Sequence, residues 1–91
     1  MSINRDYRSL AQRTAFDKHG LEYTLAVRDE LLRKIKRGRG DAQFVKAQSN
    51  NRSVWEVKHN DKVYPVVYDR RRKEIVKFLT DREMFIELLR E

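Results

Sequence analysis

One change of hydrophobic period divides this chain. Up to Arg37 the apolar residues recur every three to four positions, and from Ala42 they alternate. The first spacing lays side chains along one stripe of a helix, and the second lays them on one face of a strand. Helices followed by a run of strands imply an α+β domain rather than an alternating α/β one. The 91 residues suffice for a single domain, residues 1–91.

The helical part divides in two. Over Asn4–His19, Tyr7, Leu10, Ala11 and Ala15 form an apolar stripe. Gly20 is suited to the left-handed residue that closes a helix, with Leu21 as the apolar residue beyond it. Thr24 is an N-cap candidate for a second helix over Leu25–Arg37, striped by Val27, Leu31, Leu32 and Ile35. Gly38 ends it. Arg33, Lys34, Lys36, Arg37 and Arg39 gather at its C-terminal end. They serve either to complement the helix dipole or to extend a basic patch.

Four strands follow, over residues 42–48, 53–58, 62–68 and 74–79, with polar or charged turns between them. Short connections make them an antiparallel meander. Asn60-Asp61 is a hairpin turn signal. Pro65 cannot donate to a ladder, so it predicts an edge position or a bulge for the third strand. Thr80 and Glu83 spell a capping box for a last helix, whose stripe is Met84, Phe85, Leu88 and Leu89. The expected layering puts one or both N-terminal helices on one sheet face, and the other can stay open to solvent or ligand.

Composition narrows the chemistry. There is no cysteine, which excludes a disulfide framework, a thiolate nucleophile and a cysteine-zinc site. The two histidines, His19 and His59, are too few for a multi-histidine metal centre. No apolar run reaches the roughly 18 residues of a membrane span, and residues 1–6 lack the apolar core of a signal peptide. A soluble cytoplasmic protein is therefore expected. The net charge is +7, and it is uneven. Residues 42–79 carry nine basic and four acidic side chains, whereas residues 80–91 carry two and four. Polyanions, nucleic acid first, are the expected partners, and the acidic tail is not expected to meet them.

Two helices, then a meander whose strands read Tyr64-Pro65-Val66-Val67-Tyr68-Asp69 and Ile75-Val76-Lys77-Phe78-Leu79, resemble the plan of the small microbial ribonucleases. That superfamily includes barnase, RelE-type toxins and colicin nuclease domains. The chain is also similar to small phage or prophage proteins of this plan. The resemblance spans residues 5–80. It implies metal-independent RNA cleavage on the sheet, without a cofactor. A base would activate the ribose 2′-hydroxyl, an acid would protonate the leaving oxygen, and cations would hold the phosphate.

The candidates follow from that chemistry. His59 ends the second strand with a side chain suited to proton transfer, and Tyr68 is the other proton-transfer candidate. Arg52 follows a polar turn that holds Asn51, and it is both a catalytic and a phosphate-binding candidate. Arg70, Arg71, Arg72 and Lys73 form a dense cationic turn, and Lys46 adds a cation from the first strand. Trp55, Tyr64 and Tyr68 form either a platform for stacked bases or part of the core. Ser9, Leu10 and Ala11 stand where related proteins often carry a histidine on the first helix. The alternatives are a catalytically inactive phage or regulatory protein of this plan that binds a host protein or nucleic acid, and a plain single-stranded or duplex nucleic-acid binder whose strand aromatics stack on bases. An antitoxin is a further candidate partner of a toxin-like module.

Overall fold

The structure, a computed structural model, describes residues 7–90. The expected helix start at Asn4 and the Tyr7 side chain lie outside the described part. The elements are helices α1 (Tyr7–His19) and α2 (Leu25–Arg37), strands β1 (Ala42–Ala47), β2 (Arg52–His59), β3 (Lys62–Asp69) and β4 (Glu74–Phe78), and helix α3 (Asp81–Leu89). The four strands form one antiparallel sheet in sequence order. The α+β architecture is the expected one.

Local chemistry sets the boundaries. Gly20 sits at φ 64°, and its N–H and that of Leu21 return to the carbonyls of Phe16 and Ala15, at 2.9 and 3.1 Å. That pair of bonds closes a helix with a left-handed residue. The Thr24 hydroxyl accepts from the Val27 N–H, at 3.2 Å, and opens α2. Thr80 and Glu83 complete a reciprocal capping box at the start of α3. Asn60 and Asp61, at φ 50° and 65°, turn the β2–β3 hairpin without glycine. Short polar side chains of this kind tolerate the left-handed region.

Cross-strand register defines the faces. Ala42, Val57 and Tyr64 stand opposite one another, as do Phe44, Trp55, Val66 and Phe78. This face packs on Ala11 and Ala15 of α1 and on Leu31 and Ile35 of α2. The alanines let α1 lie close to β4. Thr14 accepts from the Phe78 N–H at 2.9 Å, and the Lys18 ammonium donates to the Phe78 carbonyl at 3.4 Å. The outer edge of β4 is thereby covered, which blocks pairing with a further strand.

Two expectations are corrected. The opposite sheet face is not left open: Val54, Val67, Val76 and Leu79 pack there against Met84 of α3. Met84 is the one residue of the predicted α3 stripe that is buried, while Phe85, Leu88 and Leu89 are exposed. Pro65 does not mark an edge, because β3 lies between β2 and β4, although the β3–β4 ladder does shift register nearby, between Val67 and Tyr68. Its carbonyl accepts from the Leu79 N–H at 2.8 Å, so its donor-less nitrogen faces the end of β4 and costs the β2 ladder nothing. The ring then leaves the Leu79 carbonyl without the return bond of that pair. His19 supplies it, with Nε2 2.6 Å from the Leu79 oxygen.

Candidate nucleic-acid interface

The helices cover only part of their sheet face. Bidentate pairing of the Arg28 guanidinium with the Glu74 carboxylate anchors the start of α2 beside β4. The Lys34 ammonium donates to the Lys58 carbonyl at 2.6 Å and anchors its other end beside β2. At the sheet end that carries the β1–β2 and β3–β4 turns, Phe44, Ser53, Trp55 and Tyr68 are left partly or wholly exposed. They line a recess of about 280 Å³, together with Asn50, Asn51, Arg52 and Arg70.

The two turns that rim this recess are clasped together. The Arg70 N–H donates to the Asn51 carbonyl at 2.7 Å, and its guanidinium donates to the Asn50 carbonyl at 3.2 Å. Beneath them lies Asp69, 5% exposed. One carboxylate oxygen accepts from the Arg72 N–H at 3.1 Å. The other stands 3.7 Å from Arg52 Nε and 3.9 Å from Arg72 Nε. A buried carboxylate needs such partners, and these orient the cationic turn.

The floor is aromatic. Phe44 meets Trp55 edge to face, with ring centroids 5.7 Å apart, although Phe44 is 53% exposed. The indole N–H donates to the Ser53 hydroxyl at 3.0 Å. Its polar edge is satisfied internally and its ring remains for packing. Burial, then the nearby carboxylates of Asp69 and Glu74, pushes the Tyr68 phenol above its ordinary 10.0. Tyr68 therefore stays protonated at neutral pH, with a phenol O–H to offer to a ligand.

The structure thus brings together Arg52, Asn51, Trp55, Tyr68 and Arg70. Arg71 and Arg72 stand exposed on the adjoining turn, and Lys73 faces a neighbouring cavity on the other side of Tyr68. The remaining candidates lie elsewhere. His59 is 7% exposed, with Nδ1 2.9 Å from a Glu30 carboxylate oxygen that also accepts from Lys34. It ends the strand that Arg52 begins, about 23 Å away at ~3.3 Å per residue. Tyr64 shares a sheet face with Tyr68 but lies under the helices, 5% exposed, against His19 and Phe78. It is core, not platform. Lys46 points to the α3 side, where its ammonium donates to the carbonyls of Glu87 and Arg90 at 2.9 and 2.7 Å. There it neutralises the negative end of that helix. The bulge at Val45, between Phe44 and Lys46, accompanies this division of β1 between the two faces.

Phe44 is the site residue that sequence reading missed. Its signal was only an aromatic in an alternating strand, and its pairing with Trp55 depends on register across the sheet. Among the described residues, no group of three or more His, Cys, Asp or Glu could hold a metal ion. No helix there is long and apolar enough to cross a membrane. Fold and site together define a small α+β protein with an aromatic, arginine-rimmed recess at one uncovered sheet end. No known family model, curated protein or solved structure matches the chain.

Proposed function

We propose that this protein binds single-stranded RNA in the recess at the uncovered sheet end. The observation that carries the reading is the Phe44–Trp55 pair, left accessible beside Arg52 and Arg70. An aromatic floor with a cationic rim matches the two demands of a single strand. Bases stack on the rings and phosphates meet the guanidinium groups. A duplex offers its bases only edge-on within its grooves, so the floor favours a strand whose bases can splay out. Ser49, Asn50 and Asn51 add hydroxyl and amide groups at the rim, the kind of partner that a ribose 2′-hydroxyl uses.

The resemblance to small microbial ribonucleases adds support, since it too implies RNA on the sheet. Cleavage is the weaker half of that reading. His59 is held by Glu30 at the far end of β2, and the raised Tyr68 phenol is unsuited to the role of base. Binding is therefore the function that the geometry supports best.

The test is a gel shift with a labelled single-stranded RNA in EDTA. A shift that weakens in Arg52→Ala and Arg70→Ala, with the RNA recovered intact, is the expected result. Absence of a shift at low salt would overturn the proposal.

A further inference from the structure

We infer that the interface continues across Tyr68 into a second cavity, which takes the next nucleotide of the same strand. The inference rests on the RNA-binding reading above. This cavity, of about 490 Å³, lies between α2 and the β3–β4 turn and is lined by Asp29, Leu32, Arg33, Lys36, Tyr68 and Lys73. Tyr68 lines both spaces, so one ring is shared between them.

The lining has the makeup of a nucleotide site. Leu32 packs on the core and gives an apolar wall, with the Tyr68 ring as the other. Asp29, Leu32, Arg33 and Lys36 fall at helical spacings that present them on one side of α2. The Asp29 carboxylate is already paired with Arg28, at 2.8 Å. Arg33, Lys36 and Lys73 therefore leave the cavity with a surplus of positive charge. The backbone of Lys73, at φ 58°, is anchored by its N–H, which donates to the Asp69 carbonyl at 2.7 Å.

The basic end of α2 thus has two parts. Lys34 serves the fold, bonded to Glu30 and to the Lys58 carbonyl. Arg33 and Lys36 turn toward the cavity, whereas Arg37 and Arg39 lie outside its lining. A strand lying over the first recess would pass Tyr68 and bring its next phosphate to Arg33, Lys36 and Lys73.

The experiment measures the affinity of labelled oligouridylates, a dinucleotide and an octanucleotide, over a range of salt. Three proteins are compared: wild type, the Arg33→Ala/Lys36→Ala variant, and an Arg37→Ala/Arg39→Ala variant that loses the same charge outside the cavity. All four side chains are exposed, so the fold should survive, and circular dichroism verifies it. The expected result is octamer binding about tenfold weaker in the first variant, with a log–log salt slope shallower by up to about 0.7, the share of one phosphate on a single strand. The control variant should be much less affected. Octamer affinity and slope equal in both variants would overturn the inference while leaving the first recess standing. If wild type binds neither oligonucleotide at low salt, the RNA-binding reading fails as well.

Discussion

Phe44 and Trp55 face each other edge to face across β1 and β2, on the part of the sheet that no helix covers. Phe44 is 53% exposed, so its contribution to folding is small, and its contribution to binding is testable apart from stability. Phe44→Ala should weaken single-stranded RNA binding by about 1–3 kcal/mol, the range for one lost base–aromatic stack. The urea midpoint should change little. Trp55→Ala should lower both, because the indole is half-buried and packs on the core. Binding assays set beside urea denaturation separate the two effects.

Asp69 organises the cationic rim from below. Asp69→Ala leaves the Arg72 N–H without its acceptor and Arg52 and Arg72 without their shared counter-charge. The expected loss of stability is about 1–3 kcal/mol. Asp69→Asn keeps an acceptor oxygen for that N–H and should lose less. Urea unfolding of both variants checks the order, and equal losses would assign the effect to charge alone.

His19 and Pro65 should be coupled through the Leu79 carbonyl. His19→Phe keeps a ring against Tyr64 and Phe78 but removes the donor, and it should cost about 1–3 kcal/mol. Pro65→Val restores a backbone N–H opposite the same carbonyl. The His19→Phe cost should therefore shrink in the Pro65→Val background. A double-mutant cycle measures the coupling, and strictly additive losses would contradict the shared-acceptor account.

These three cases show what could be read in advance. Gly20, Thr24, Gly38 and the Thr80–Glu83 pair act within a turn or two of their own position, so the helix limits were legible from the chain. Strand limits followed from alternation to within one residue at each end. Alternation also puts Tyr64 and Tyr68 on one face, but it says nothing of how far a helix reaches across that face. One ring is therefore core and the other surface. His59 looked like a proton-transfer candidate because its partner, Glu30, lies 29 positions away. Pro65 looked like an edge because the end of β4, which makes it tolerable inside the sheet, is set by chain geometry elsewhere.

Acid should loosen two of the ion-paired carboxylates, Glu30 and Glu83. Hydrogen bonds from Lys34 and then His59 hold Glu30 below its ordinary 4.5, and those from Lys18 and the Thr80 backbone do the same for Glu83. A carboxyl group depressed in the folded state stabilises the fold fully above its unfolded value. That contribution is lost as pH falls through the folded value. Thermal stability should therefore decline as pH falls below about 4.5, and the decline should be shallower in Glu30→Gln/Glu83→Gln. Both groups are partly solvated, so added salt should reduce the difference. Melting curves over this pH range provide the check.

The chain's single tryptophan stands in the floor of the recess and reports on it directly. Titrating the protein with an octauridylate at low salt, while following Trp55 fluorescence, tests whether bases stack on the uncovered sheet end. The account predicts saturable quenching that weakens as salt rises, by about 0.7 log units of affinity per log unit of salt for each phosphate held. The quenching should be weakened in Phe44→Ala and Arg52→Ala. Fluorescence that stays constant through a concentration range in which the RNA demonstrably binds would contradict it, as would undiminished binding by both variants.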